Sequence, residues 1–188
     1  MKNISYEIKL YSPWHCGSGL SAGADVDALV VKDKNGLPFV PGKTIKGLLR
    51  EAVENYCEFL QLNKEKEINE AFGRKEENLD DEGKAKIGIC FFGNATMLES
   101  EAAIIKEHHV QEYLYTRISS TAIDKNGIAK DNSLRRIEAV VPCTLKGSIY
   151  HVEDGFADIM VKSMGMVKRL GQSRNRGMGR CDIKATNE

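Results

Sequence analysis

The sequence lacks a net charge of either sign. Its 188 residues carry 27 Lys and Arg against 27 Asp and Glu, which excludes a uniformly basic nucleic-acid coat and an acidic solvating tail. It also lacks a long apolar run. Nothing approaches the roughly 20 residues of a membrane helix, and the first residues, MKNISYEIKLYSPWH, hold no unbroken apolar stretch of the signal-peptide kind. No membrane partner is expected. Paired cysteines are missing too. Cys16, Cys57, Cys90, Cys143 and Cys181 are odd in number and widely spaced, with no C-x-x-C or C-x-x-H. That argues against a disulfide framework or a zinc knuckle and leaves a reducing cytoplasm as the default compartment. No repeat with a period of about 20–50 residues is visible. What is present is an ordinary globular composition, 41% hydrophobic and 29% charged, at a length that suits one domain of about 100–200 residues.

Periodicity divides the chain into elements. Ile4–Leu10 alternates with period 2, a half-buried strand, and Pro13 ends it. His15–Ala24 has the Gly/Ser/Ala composition of a flexible loop or a ligand-approach loop. Asp27–Lys32 reads as a second strand, closed by the turn Asp33-Lys34-Asn35-Gly36. Ile45, Leu48, Leu49, Ala52, Val53, Tyr56, Cys57 and Leu60 then form one continuous helical face, with Thr44 as N-cap. Residues 62–86 are charged and poorly periodic, a solvated insertion with a short helix at most. Ile87–Leu98 reads as a buried strand with a bend at Gly93-Asn94. A polar connection leads to a strand at Glu112–Ile118, turn formers at 119–133, and strands at Leu134–Pro142 and Thr144–Val152. Apolar residues recur at helical spacing from Phe156 to Leu170, with Gly171 as the stop. Gly179–Ala185 alternates as a last strand. The expected class is α+β: a modified RRM or ferredoxin-like βαββαβ core with helical insertions, in a single domain spanning 1–188.

Several constellations could carry chemistry. Pro41-Gly42-Lys43-Thr44 ends like a P-loop, but that motif needs glycine at 37, where Leu37 stands. A nucleotide-binding enzyme fails on this register. Gly171-Gln172-Ser173-Arg174-Asn175-Arg176-Gly177-Met178-Gly179-Arg180 interleaves glycines, which allow close backbone approach, with arginines, which fork onto phosphates. Asp25 and Asp27, two residues apart in an extended chain, point to opposite faces and form no single-face dyad. Either is a solvated loop acid or holds a divalent ion or a 2′-hydroxyl. His15 either packs its loop or touches substrate. His108 and His109 have no third ligand at metal spacing and read as surface residues.

Taken together these segments resemble the RAMP superfamily, the repeat-associated proteins of CRISPR–Cas effector complexes. Asp27 through Arg50, containing Gly36-Leu37-Pro38-Phe39-Val40-Pro41-Gly42-Lys43-Thr44-Ile45-Lys46-Gly47-Leu48-Leu49-Arg50, is similar to the family's "acid, strand, G-x-P-x-I-P-G-S-S-L-K-G-x-x-R" signature. His15-Cys16-Gly17-Ser18-Gly19 resembles its H-x-G-S-G loop. Ala122–Ala129 followed by Leu134-Arg135-Arg136-Ile137-Glu138 resembles its thumb, and Leu170–Arg180 its glycine-rich loop.

The resemblance implies a backbone subunit of a type III effector. Such a subunit binds CRISPR guide RNA and target RNA, other effector subunits and copies of itself along the guide. His15, Lys43, Thr44, Lys46, Arg50, Arg174, Arg176, Gly177, Gly179 and Arg180 would contact guide RNA. A thumb-like hairpin over about 117–142 would press between RNA segments. Asp27, or failing that Asp25, would cut target RNA with Mg²⁺ or another divalent metal, making the chain an endoribonuclease within the assembled complex. Two neighbouring readings are a non-cutting capping subunit and a CRISPR-repeat-processing endoribonuclease with a His base. Some family members carry a cysteine/histidine site before their L-F-G strand; Cys90-Phe91-Phe92-Gly93 stands without one, so no zinc is expected. The RNP1 aromatic run of ordinary RRM proteins is missing, so base stacking on the sheet is not expected.

Overall fold

A computed structural model describes residues 1–23, 25–74 and 87–186. The elements are β1 (Lys2–Leu10), α1 (Gly42–Phe59), α2 (Glu65–Phe72), β2 (Phe91–Phe92), β3 (Thr96–Met97), α3 (Glu99–Glu107), β4 (Tyr115–Ser120), β5 (Arg135–Val140), β6 (Thr144–Val152), α4 (Asp154–Met164) and β7 (Cys181–Thr186). One sheet runs β2-β6-β1-β7, with β3 also on β6, and its pairs are antiparallel. With β2 and β3 taken as one interrupted strand, this is the expected α+β, ferredoxin-like βαββαβ order. A separate hairpin, β4–β5, is inserted before β6.

The sheet has one face under helices. Ile4, Tyr6, Ile8 and Leu10 alternate along β1 and are buried, while Ser5, Glu7 and Lys9 face the other way. Ile45, Leu49, Ala52, Val53 and Cys57 turn one stripe of α1 inward, and Phe156, Ala157, Met160 and Met164 do the same for α4. The two helices pack on each other, and α4 also meets β1 and β7. Trp14, fully buried, joins the start of the following loop to the end of β5 through paired backbone bonds with Val140.

The structure corrects several boundaries. Helix α1 begins at Gly42 with Pro41 at its N-cap, not Thr44; Pro41 has no capping side chain, and Asn94 Oδ1 accepts the Gly42 amide instead at 2.9 Å. Asp27–Lys32 is extended but makes only isolated bridges, to Ile137, Gly17 and Pro38, because its backbone partners lie on three different segments. The strand expected over 87–98 is two short pieces broken at 93–95. The polar connection after it contains a helix, α3, which buries no residue and so left no apolar stripe to read. Helix α4 stops at Met164, not Leu170. Val167 and Leu170 are buried all the same, in a chain that has left the helix. Within the charged 62–86 stretch, α2 buries Ile68, Ala71 and Phe72, and Phe72 stacks on Phe92 at 5.3 Å. Residues 75–86 of that stretch lie outside the described residues. No described helix is long and apolar enough to cross a membrane.

Candidate nucleic-acid interface

The loop from Met166 to Arg180 leaves α4, crosses the end of α1 and returns into β7. Two of its glycines are required by contact. A Cβ on Gly179 would lie 1.8 Å from the Leu170 carbonyl oxygen, and one on Gly171 would lie 2.4 Å from that of His15; both have positive φ. The loop therefore lies backbone to backbone against itself and the His15 loop. Further bonds lock it: Gln172 N donates to His15 O, Leu170 N to Gly179 O, and Gly179 N to Pro13 O. Arg174–Arg176 form a short 3-10 turn with exposed side chains, and the Arg169 guanidinium donates to the Arg174 carbonyl.

Between this loop and α1 lies an open groove of about 900 Å³. Leu48, Glu51, Ala52 and Asn55 form its α1 wall. Arg135, Lys168, Arg169, Arg174 and Arg176 also line it, five cations against the single acid Glu51. It shares Leu48, Glu51, Gly171, Gln172 and Arg174 with a smaller recess of about 380 Å³ that reaches His15, Lys43, Thr44 and Gly47. Arg174 sits 3.8 Å from Glu51, with both side chains about half exposed. An exposed pair of this kind is worth about 0–1 kcal/mol, so Arg174 can turn to an anion.

The expected site residues separate into groups. Lys43, Thr44, Arg174 and Arg176 line the two recesses. Gly177 lies at the exposed end of the loop, and Gly179 is buried beneath it. His15 is 1% exposed, and its Nδ1 lies 2.6 Å from the Glu138 carbonyl oxygen. Of the two readings left open for it, the geometry is that of loop packing. Lys46 lies outside the groove lining, on the side of α1 where its charge reaches Cys90. Arg50 departs furthest from expectation. Its guanidinium donates to Glu54 Oε1, Gly73 O and Asn69 Oδ1, so it ties α1 to α2 rather than facing the groove. Arg180, exposed at the entry to β7, is outside the groove lining.

The two aspartates sit beside the β4–β5 hairpin, toward the loop end of its ladder, where Arg136 pairs with Ser119. Asp27 and Arg136 exchange two bonds: Asp27 N donates to Arg136 O, and Arg136 N donates to Asp27 Oδ2 at 2.7 Å. Asp25 is ion-paired with Arg117 at 3.0 Å and with Arg136 at 3.6 Å. Arg135, one residue along from Arg136, lines the groove; Asp27 itself is not part of the groove lining.

A family model described as the RAMP superfamily matches residues 7–182. The chain belongs to the RAMP superfamily. No curated protein matches it in sequence. Among solved structures, this RAMP chain resembles a chain of the cryo-EM structure of the Type III-B Cmr-beta bound to cognate target RNA. The TM-score is 0.71 at 11% identity, over 98% of this chain and 97% of that one. A chain of the Type III-B Cmr-beta apo-state structure gives a TM-score of 0.68 at 12% identity, over 99% and 98% of the two chains. At such identities the likeness concerns the fold.

Residues of this RAMP chain that the sequence reading did not assign to the site include Arg135, Asn55, Lys168 and Arg169. Arg135 was visible inside the thumb-like motif, and Lys168 and Arg169 in the acid-free run before the glycine-rich loop. Only the fold brings them to the same groove. Among the described residues, no group of three or more His, Cys, Asp or Glu is placed to hold a metal ion.

Proposed function

We propose that the chain is a guide-RNA-binding backbone subunit of a type III CRISPR–Cas effector complex, and that Asp27 is its target-cutting acid. The observation that carries this reading is the five-cation groove between α1 and the glycine-rich loop. A groove of guanidinium and ammonium groups grips phosphates and reads no bases, as suits a protein that must accept any guide. Partners are guide and target RNA, other effector subunits and further copies of the chain; the cytoplasm is the compartment.

Asp27 fits a divalent ion in one way only. One carboxylate oxygen is fixed by the Arg136 amide, and the other has no partner in the described structure. Asp25 is occupied by two arginines. The chain thus offers one carboxylate, which matches Mg²⁺, an ion often held by one or two carboxylates together with substrate phosphates. Bound there, the ion would neutralise charge on the scissile phosphate. The Arg136 bond holds the carboxylate in place and leaves its other oxygen for the ion. Asp25 clamps the hairpin through Arg117 on β4 and Arg136 on β5. The His-base alternative has little support, since His15 is buried against a backbone carbonyl.

The test is reconstitution with guide RNA and neighbouring subunits, comparing wild type with Asp27→Asn. Asparagine keeps an acceptor for the Arg136 amide, so assembly and target binding are expected to survive while Mg²⁺-dependent cutting at regular spacing disappears. Undiminished cutting would refute the catalytic assignment and leave the capping role.

A further inference from the structure

The sheet face opposite the helices is uncovered, and at its end lies a cluster the proposed mechanism does not use. Tyr11 continues β1 by one residue: its amide donates to the Arg180 carbonyl, and the Arg180 amide donates to Ser12 Oγ. With Leu10 opposite Cys181, and Lys9 opposite Asp182, the same-face rungs here are Lys9–Asp182 and Tyr11–Arg180. Tyr11 is 46% exposed. Its hydroxyl donates to Asp182 Oδ2 at 3.2 Å, and Lys168 Nζ donates to Asp182 Oδ1 at 3.2 Å. Lys9 Nζ lies 5.6 Å and the Arg180 guanidinium carbon 5.9 Å from the ring centroid.

We infer that Tyr11 is a stacking platform for an unpaired base of single-stranded RNA, with Lys9 and Arg180 taking the flanking phosphates. The ring is anchored at its hydroxyl, so it presents a face without having to be ordered on binding. Both cations sit near the outer limit of cation–π contact, about 6 Å, and can move onto a phosphate without breaking a short bond. Lys168 lines the basic groove and also bonds Asp182, so the platform is continuous with that groove around the loop. An aromatic face beside a cationic track is the general arrangement for holding single strands without sequence preference. The chain lacks the aromatic run of ordinary RRM sheets, and this site replaces it with one ring at the strand end. The inference rests on the reading of the chain as an RNA binder.

The test uses the full-length chain and a fluorescein-labelled dodecauridine, read by anisotropy across a salt series. An abasic strand of the same length is the second probe. Tyr11→Phe and Tyr11→Trp keep an aromatic face but lose the hydroxyl anchor, and are expected to bind within a few-fold of wild type. Tyr11→Leu is expected to bind the base-bearing strand about 5- to 150-fold more weakly with an unchanged salt slope. Arg180→Gln should flatten that slope by about 0.7, one phosphate contact on a single strand. On the abasic strand wild type and Tyr11→Leu should be equal. Circular dichroism and melting of each variant confirm the fold, and Tyr11→Phe remains informative if Leu is not tolerated. Equal binding of wild type and Tyr11→Leu to dodecauridine overturns the platform and leaves the groove reading intact, as does a Tyr11→Leu deficit that persists on the abasic strand. Loss in Tyr11→Phe as large as in Tyr11→Leu also overturns it, since the ring is then not the contact. If wild type binds neither probe, both readings fail.

Discussion

Glu138 on β5 joins the hairpin to the loop that carries His15 and Asp27, and its removal should be felt across that junction. Its Oε2 accepts the Val30 amide at 3.0 Å, its Oε1 meets Lys32 Nζ at 2.8 Å, and its backbone oxygen lies against His15 Nδ1. The carboxylate is 14% exposed and Val30 is 3% exposed. In Glu138→Ala the Val30 amide loses its partner in a buried position, a penalty of about 1–3 kcal/mol. The ion pair with Lys32, only partly exposed, adds about 1 kcal/mol. Lys32 keeps a second hold, 3.8 Å over the Tyr115 ring, which limits that second loss. For a mid-range loss of about 2.5 kcal/mol, the melting temperature of a chain this size should fall by roughly 5–10 °C. Glu138→Gln retains an oxygen for Val30 and gives up only the charge, so it should lose less than about 1 kcal/mol. Thermal and urea melts of the three proteins decide the matter. An unchanged melting temperature in Glu138→Ala would refute the reasoning, as would a Glu138→Gln protein that falls as far as the alanine variant.

Two other outcomes follow from the same structure. Arg50→Gln should lower the melting temperature while leaving the affinity and salt slope for guide RNA unchanged, because the guanidinium is committed to Glu54, Asn69 and Gly73. Arg174→Gln should do the reverse, and an anisotropy titration beside a thermal melt separates them. Burial pushes the Cys16 thiol up to about 12, and burial raises Cys143 and Cys181 to about 11. A thiol whose folded value is raised favours the folded state fully below the unfolded value, about 8.5, and loses that contribution as pH rises toward the folded value. Urea stability should therefore decline from pH 8.5 upward, by up to about 1.4 kcal/mol per pH unit for Cys16 alone. Equal stability at pH 7.5 and 9.5 would contradict the thiols' burial.

What could be read from the sequence was whatever depended on one element's own period. The α1 stripe from Ile45 to Cys57 and the alternation of β1 are complete in themselves, and both formed close to where their spacing put them. Elements defined by partners were harder. Asp27–Lys32 has strand composition, yet its amides and carbonyls pair with Cys16, Leu20 and the β5 segment in turn. The helix expected to run on to Leu170 failed because Val167 and Leu170 continue a helical spacing after the chain has turned out of the helix. The site divides in the same way. Arg174, Arg176 and Lys43 lie on segments whose glycines already marked them as close-approach backbone. Arg50 shares α1 with Lys43, and only its Glu54 bond at i+4 is local; its other two partners, Asn69 and Gly73, lie beyond the range of any local pattern. The burial of His15 depends on Gly171, far away in the chain.

The break between β2 and β3 has a consequence for how chains meet at high local concentration. Gly93-Asn94-Ala95 bends away so that Asn94 can serve the first amide of α1, and Ala95 exchanges both of its backbone bonds with Val40. That side of the sheet is thereby divided into two-residue pieces, with the gap between them already occupied. A free edge of this kind gives an incoming strand too few consecutive amides to align on, which discourages amyloid-type strand addition. The bend that starts the first helix also protects the sheet against adventitious growth.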